Sequence, residues 1–237
     1  RLVAAAARLG RTLHEVRDPR PDIPVGTGRR RAGKRLLTVG TDCSVGKMYT
    51  TLCLARALQA RGVQADFRAT GQTGILIAGD GVPLDAVVAD FISGAIEQIS
   101  PDRTDGGWDL IEGQGSLFHP SFAGVSTGLL HGAQPDALVL CHDPMRRTMR
   151  GLPHYQPPRL DDCLEANLRA ARLTNPQVRA VGIALNTAAM DAAQAADLCA
   201  RTADMFGLPC SDPYRMGVDA MVDLLLAMDA PAATETI

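Results

Sequence analysis

The chain has 237 residues, of which 46% are hydrophobic, so it is long and apolar enough for one large α/β domain with a substantial core. A net charge of −2 excludes a global nucleic-acid footprint, and 4% aromatic residues are too few for a base-stacking platform. No apolar run approaches the length of a membrane span, so we expect a small-molecule partner rather than nucleic acid or a membrane. The six cysteines include no C-x-x-C pair, which argues against a zinc knuckle or disulfide framework and leads us to expect a cytoplasmic protein.

The first 33 residues differ in composition from the rest of the chain. Residues 1–16 predict a short helix that a strand could follow. Residues 17–34, RDPRPDIPVGTGRRRAGK, contain three prolines, three glycines and a basic run, a composition typical of a linker. We interpret Arg29, Arg30 and Arg31 as a solvated surface patch, with phosphate contact as the less favoured alternative. The main domain is expected to begin at Lys34.

The segment RLLTVGTDCSVGKMYTTLCLARAL, residues 35–58, is the centre of the prediction. An apolar run leads into GTDCSVGK and then into a helical pattern, and we interpret Gly40, Gly46 and Lys47 as the G-x-x-x-x-G-K pattern of a phosphate-binding P-loop. Inward-pointing N–H groups and a helix N-terminus attract anions, and the lysine reaches phosphate oxygens. We therefore expect the whole loop to bind cofactor phosphate: Gly40, Thr41, Asp42, Cys43, Ser44, Val45, Gly46 and Lys47.

One residue departs from the pattern of nucleotide hydrolases. Met48 follows the lysine, where those enzymes place a Ser or Thr whose hydroxyl helps to hold Mg²⁺. A thioether does not replace that oxygen ligand. The sequence therefore predicts a phosphate-binding loop without an assigned metal ligand.

Apolar segments and helical patterns alternate along the rest of the chain. Strands are predicted at GVQADFRAT, ILIA, WDLIEG, DALVLCHDP and VRAVGIALNT, with a short strand and loop at GLPCSDPYR, and helices at residues 84–99, 124–132, 161–173, 193–207 and 218–228. This alternation predicts an α/β fold, a P-loop-like three-layer sandwich with a mostly parallel sheet covered by helices on both faces. The apolar last helix could be buried in its own core or in a contact between subunits, so a homo-oligomer remains open.

Ligands in such sheets bind outside the carboxyl ends of the strands, where polar residues follow several strands here. Glu112 follows WDLI and could be a metal ligand, a general base or a carboxylate bonded to backbone N–H groups. His119, seven residues on, and His142, after ALVLC, are candidates for proton transfer or for structural roles. Asn186 could bind an adenine edge or form a turn.

Several blocks carry a family resemblance: GTDCSVGK, ATGQTGILIAGDG, DLIEGQGSLFHP, GLLHGAQPDALVLCHDP and GIALNT. Together they resemble the P-loop-type domain of a bacterial D-glutamate and D-amino-acid N-acetyltransferase family, formerly a domain of unknown function. The resemblance implies acetyl transfer from acetyl-CoA to a D-amino acid such as D-glutamate. It also implies that residues 1–33 are the tail of a smaller N-terminal Rossmann-like domain plus linker, and that residues 34–237 form the P-loop-like domain.

The strand-end rule then gives expected roles within that reaction. The P-loop would hold a CoA phosphate, Glu112 or His119 would deprotonate the substrate ammonium, and His142 or a backbone N–H would stabilise the oxyanion. Substrate contacts are expected from Arg68, Thr70, Gln72 and Thr73. Two alternatives remain: a dethiobiotin-synthetase-like enzyme that uses ATP with Mg²⁺, and a non-catalytic nucleotide-binding module.

Overall fold

The sheet of this protein has six strands, all parallel, in the order β2-β3-β1-β4-β5-β6. The computed structural model describes residues 1–19 and 22–228. The strands are β1 (Lys34–Gly40), β2 (Ala65–Arg68), β3 (Trp108–Ile111), β4 (Ala137–His142), β5 (Arg179–Leu185) and β6 (Cys210–Ser211). The helices are α1 (Leu2–Arg8), α2 (Lys47–Ala60), α3 (Gln72–Ala78), α4 (Ile92–Ile99), α5 (Ala123–Ala133), α6 (Leu160–Arg172), α7 (Ala192–Phe206) and α8 (Asp219–Ala227).

Successive strand residues point to opposite faces, and each face has its own apolar core. Leu37, Leu138 and Ile183 pack on one side with residues of α4, α5, α6 and α7. Leu36 and Val139 pack on the other side with residues of α2 and α8. The predicted three-layer α/β class is therefore confirmed, because two layers of helices enclose one parallel sheet.

The last helix contributes to the second of these cores. Met221, Val222 and Leu225 of α8 are all buried against the sheet and α2. Of the two sequence alternatives for this helix, burial in its own domain is the one that the structure shows for these three residues.

Two local predictions were wrong. The ILIA segment is not a strand but most of α3, which begins after Gly71 and ends at Gly79, whose φ of 78° closes the helix. A run of four apolar residues does not distinguish helix from strand. Residues 84–99 are not one helix, because Val87 and Val88 are extended (ψ 134° and 137°) and separate one short 3-10 turn from a second turn that leads directly into α4.

The segment before β1 packs on the domain. Gly26 lies against Ser93, and Glu97 of α4 accepts N–H bonds from Thr27 and Gly28 at 2.9–3.0 Å. The interpretation of the arginine run as solvated was wrong for Arg31, which is 5% exposed and donates to the carbonyls of Gly132 and Ala133.

The other two members of that run lie at the surface, in ion pairs. Arg29 pairs with Asp102 and Arg30 with Asp136. After α1, residues 9–19 form no strand. The domain boundary at residues 33 and 34 stays a prediction.

Candidate active site

The loop after β1 turns back on itself at two residues with positive φ. Ser44 has φ 54° and Gly46 has φ 105°, and α2 begins directly afterwards at Lys47. Five residues, not four, separate Gly40 from Gly46, so the G-x-x-x-x-G-K spacing assigned from the sequence was one residue too short. The strand–loop–helix geometry of a P-loop is nevertheless present, because the loop joins β1 directly to the N-terminus of a 14-residue helix.

Lys47 lies at the base of this loop. Its side chain is buried, and Nζ donates to the Asp42 carbonyl at 2.7 Å. Burial lowers the pKa of Lys47, because the ammonium loses hydration. No acidic side chain of the described residues forms an ion pair with it. The ammonium is therefore positioned to gain from an anionic ligand.

Asp42 anchors the loop from behind and does not face the cleft. Its fully buried carboxylate accepts bonds from Cys43 N (2.6 Å), Arg150 N (2.7 Å) and Arg146 Nη1 (2.8 Å). Burial alone would raise the pKa of Asp42, but these hydrogen bonds hold it below its ordinary value. Arg146 also donates to the Cys43 carbonyl at 2.7 Å. The loop after β4 thus fixes the shape of the P-loop.

Glu112 follows β3 and lines the cleft beside the P-loop. Its Oε2 accepts the N–H groups of Thr70 (2.9 Å) and Gly71 (3.2 Å), so the backbone bonds come from the turn before α3. A Cβ on Gly74 would lie 2.3 Å from Oε2, so a larger residue there would displace the carboxylate. Burial raises the pKa of Glu112 because the charged carboxylate is poorly hydrated. A carboxyl group with a raised pKa in a cleft is a candidate general base.

The two candidate histidines lie outside the clefts that open at the carboxyl edge of the sheet. His119 is buried: its Nδ1 accepts from Ser121 N at 3.2 Å, and its Nε2 bonds the Arg150 carbonyl at 3.0 Å. His142 Nδ1 bonds Thr41 Oγ1 at 2.9 Å, and burial lowers the pKa of His142. Both rings are therefore engaged in holding loops around the site.

Two clefts open at the carboxyl edge of the sheet and share Gly46, Tyr49 and Asn186. The first, of about 690 Å³, is lined by charged and polar groups that include Lys47 and Glu112. The second, of about 400 Å³, is mainly apolar, and the rings of Tyr49 and Tyr214 lie 6.1 Å apart beside it. Together they form a continuous surface with a polar part and an aromatic part.

The structure brings together many, but not all, of the residues predicted from sequence. The first cleft is lined by Cys43, Ser44, Gly46, Lys47, Gln72, Thr73, Glu112 and Asn186, and the second also by Val45. Neither of these clefts is lined by Gly40, Thr41, Asp42, Arg68, Thr70, His119 or His142.

Arg68 and Thr70 support their neighbours. Arg68 bonds Asp109 Oδ1 through Nε (2.9 Å) and Nη2 (2.8 Å), which leads its side chain back along the sheet. Thr70 Oγ1 donates to the Glu112 carbonyl at 2.7 Å. Thr70 therefore positions Glu112.

Sequence reasoning missed Arg150, Tyr49 and Tyr214. Arg150 lines the first cleft and its guanidinium donates to Ser44 Oγ, yet it lies 106 residues from that serine. Its loop, RTMRGLP, carries no motif that marks the last arginine. Tyr49 directly follows Met48 and could have been found as an outward position of the first helical turn.

Asp42, Cys43 and His119 place one possible metal-ligating atom each within 4.8 Å of one another. The Asp42 carboxylate already accepts three N–H bonds, and both nitrogens of His119 have protein partners. Burial raises the pKa of the Cys43 thiol, which favours its protonated form. These donor atoms therefore serve the packing of the loop.

The parallel sheet, the loop after β1 and the cleft at the carboxyl edge define a P-loop protein of the three-layer α/β class. The chain belongs to the family described as "Domain of unknown function (DUF1611_C) P-loop domain", whose model matches residues 24–222.

Two curated relatives and one crystal structure resemble the chain over most of its length. A protein named D-glutamate N-acetyltransferase from Pseudoalteromonas sp is 54% identical over 221 residues, 93% of this chain and 67% of the relative. A second with the same name, from Tritonibacter scottomollicae, is 53% identical over 96% of this chain and 68% of the relative. A DUF1611 family protein from Anabaena variabilis is 39% identical with a TM-score of 0.85, covering 92% of this chain and 65% of that one.

These matches confirm the resemblance stated on the sequence blocks. The chain spans about two thirds of the length of each of these three relatives. Among the described residues, no helix combines the length and the apolar character that a membrane crossing requires.

Proposed function

We propose that this chain takes part in acetyl transfer from acetyl-CoA to the amine of a D-amino acid, with D-glutamate as the leading acceptor, and that the P-loop binds a phosphate of CoA. The names of the two curated relatives, at 54% and 53% identity, support the reaction. The observation that carries the proposal is that Glu112, a carboxyl group with a raised pKa, shares one cleft with the cations Lys47 and Arg150.

The cofactor side of the proposal rests on two features of the clefts. Lys47 and Arg150 line the first cleft, and neither forms an ion pair with a carboxylate of the described residues, so both suit the phosphates of CoA. Tyr49 and Tyr214 offer aromatic faces for a base in the adjoining cleft. Asn186, which lines both clefts, supplies an amide for the edge of that base.

In the proposed reaction Glu112 acts as general base. It accepts a proton from the substrate ammonium, because only the neutral amine attacks the thioester carbon. The new C–N bond forms a tetrahedral intermediate, which collapses with loss of the C–S bond. Glu112 passes its proton to the departing thiolate, and the second proton on the nitrogen is released to water. Gln72 and Thr73, at the same cleft, are the proposed neutral contacts to the acceptor. Thr70 keeps Glu112 in place through its N–H and hydroxyl bonds.

The proposal is tested by thiol release from acetyl-CoA in the presence of D-glutamate, with L-glutamate as the stereochemical control. Replacing Glu112→Gln preserves the shape but removes the base, and should lower kcat by about 10²–10⁴-fold. The matched control is Glu165→Gln, which neutralises an exposed glutamate of α6 paired with Arg169. This control should retain the parent rate.

Calorimetric titrations with acetyl-CoA, and separately with ATP plus Mg²⁺, distinguish the proposed acetyltransferase from an ATP-dependent enzyme. Binding of acetyl-CoA with D-glutamate-dependent thiol release supports the proposal. Binding of ATP that depends on Mg²⁺, with no binding of acetyl-CoA, overturns it in favour of a nucleotide-dependent enzyme. Unchanged thiol release in the Glu112→Gln variant would remove Glu112 from the mechanism.

A further inference from the structure

The P-loop does not offer the hydroxyl that usually holds Mg²⁺. P-loop enzymes that use Mg²⁺ place a Ser or Thr after the lysine. Met48 occupies that position and lines the first cleft with a soft thioether that suits this hard cation poorly. Thr51 Oγ1 is buried and bonded to the Lys47 carbonyl (2.8 Å) and Thr38 Oγ1 (2.9 Å), and Thr50 lines the other cleft.

The carboxylates around the P-loop are also engaged. Asp85 lines the first cleft but pairs with Arg17 at 2.7 Å. Glu112 Oε2 accepts two backbone N–H groups, and Asp42 accepts three N–H bonds behind the loop. Gln114 also donates a side-chain hydrogen bond to Glu112, whose other oxygen is the one that the proposed reaction uses as a base. These residues do not fit a P-loop magnesium site.

Arg150 is held where it can supply positive charge in place of a metal. Its backbone N–H donates to Asp42 Oδ2 at 2.7 Å, and its guanidinium donates to Ser44 Oγ. Both partners, Asp42 and Ser44, belong to the P-loop, so the P-loop itself sets the position of Arg150. A guanidinium that has further N–H donors can bind two phosphate oxygens in one plane. A lysine ammonium acts as a point charge and has no such fixed geometry.

We propose that Arg150 takes the place of the divalent cation, and that Lys47 and Arg150 together bind a diphosphate without Mg²⁺. The inference rests on the proposed function in one respect: the diphosphate of acetyl-CoA is taken as the natural ligand. In this inference Arg150 is the residue that makes a diphosphate bind more tightly than a monophosphate.

The test uses calorimetric titration of the chain with ADP and with AMP, each in EDTA and in excess Mg²⁺. We expect the affinity for ADP in EDTA to equal that in Mg²⁺ within about twofold, and ADP to bind more tightly than AMP. An increase of about tenfold or more in ADP affinity on adding Mg²⁺ would overturn the inference.

The variant that tests Arg150 itself is Arg150→Gln, with Arg147→Gln as matched control, since Arg147 is an exposed arginine of the same loop that lines neither cleft. Arg150→Gln should lower ADP affinity by about tenfold or more while lowering AMP affinity much less. Arg147→Gln should leave both affinities near the parent values. Equal losses for ADP and AMP in Arg150→Gln would show that Arg150 only shapes the loop, and would contradict the inference.

The result separates this inference from the proposed function. Metal-independent ADP binding that requires Arg150, without turnover of acetyl-CoA, would leave the inference standing and remove the acetyltransferase. Thiol release from acetyl-CoA that stops in EDTA and returns with Mg²⁺ would support the acetyltransferase and overturn the inference. Thiol release that is unchanged in EDTA, and is lost in Arg150→Gln through a higher KM for acetyl-CoA, supports both.

Discussion

Two carboxylates on one stretch of chain, Asp109 and Glu112, are three residues apart and are both buried, yet their surroundings differ. Asp109, in β3, bonds Arg68 and Arg103 directly and reaches Arg35 through Ser100 Oγ. Glu112, just after β3, receives backbone N–H groups and forms no ion pair among the described residues. Residues three apart on an extended chain point to opposite faces, so one strand serves both a structural and a reactive carboxylate.

A stabilising buried charge differs from a chemically available one in the groups that surround it. Asp109 is surrounded by guanidinium groups, and hydrogen bonds to Asp105 and Asp109 raise the pKa of Arg103. Burial raises the pKa of Glu112, because its hydrogen bonds and the charge of Lys47 offset only part of the lost hydration. The first arrangement holds strands together, and the second leaves a group that takes up a proton at a higher pH than an ordinary glutamate.

The largest effect is expected from Asp109→Asn, which leaves Arg35, Arg68 and Arg103 without their shared charge. We expect a loss of about 3–5 kcal/mol in the free energy of unfolding, measured by urea titration. The control is Asp105→Asn, because Asp105 also pairs with Arg103 but lies at the surface, and this variant should stay close to the parent. Equal losses of unfolding free energy in the two variants would show that the buried position of Asp109 adds nothing to its ion pairs.

Ser100→Ala should have the next largest effect. Ser100 Oγ donates to Asp109 Oδ2 at 2.7 Å and accepts from Arg35 Nε at 3.0 Å, in a fully buried position. Loss of hydrogen bonds to charged groups should cost about 1.5–3 kcal/mol of unfolding free energy, measured in the same urea titration. A loss below the precision of the titration would show that water replaces the hydroxyl.

The pH dependence of acetyl transfer should report the Glu112 environment. Because the base must be ionised and burial raises its pKa, the acidic limb of kcat/KM should have its midpoint above the ordinary glutamate value of 4.5. Below that midpoint the rate should fall about tenfold per pH unit. The limb should be absent from the residual activity of Glu112→Gln, and a midpoint at or below 4.5 would contradict the assignment.

The smallest effect is expected on the stability of Glu112→Gln. A raised folded-state pKa means that the folded protein binds more protons than the unfolded chain, so the parent loses stability as pH rises from 4.5 through the folded pKa. The variant lacks this loss, so its stability relative to the parent should increase across that window and then level off. Denaturant titrations at several pH values measure this difference, and a decrease would mean that Glu112 is stabilised as a charge.

Local pattern was sufficient for most of the fold. The apolar run before GTDCSVGK and the helical pattern after it correctly placed β1 and α2, since hydrophobic periodicity is a property of short segments. The same reasoning was wrong for ILIA, because Leu76 and Ile77 of α3 are exposed and no core pattern marks them as helical. Strand-end position correctly brought Lys47, Glu112 and Asn186 to the first cleft.

The side chains that the sequence misplaced are those whose direction depends on distant partners. Arg68 follows the rule for a strand end, but the register of β2 on β3 pairs Arg68 with Ile111 and places Asp109 within its reach. His119 follows Glu112 in sequence, but the loop after β4 covers it, and its ring bonds the Arg150 carbonyl. Neither partner is visible from local pattern.

The parallel α/β class, the strand–loop–helix of the P-loop and the acidic residue after β3 could be predicted from the sequence, because these follow from periodicity and from the order of elements along the chain. That Arg150 joins Lys47, and that Asp109 forms ion pairs while Glu112 forms none among the described residues, depends on tertiary packing. Side-chain charges act over a few ångströms in space, and the groups that compensate them here lie up to 108 residues away along the chain.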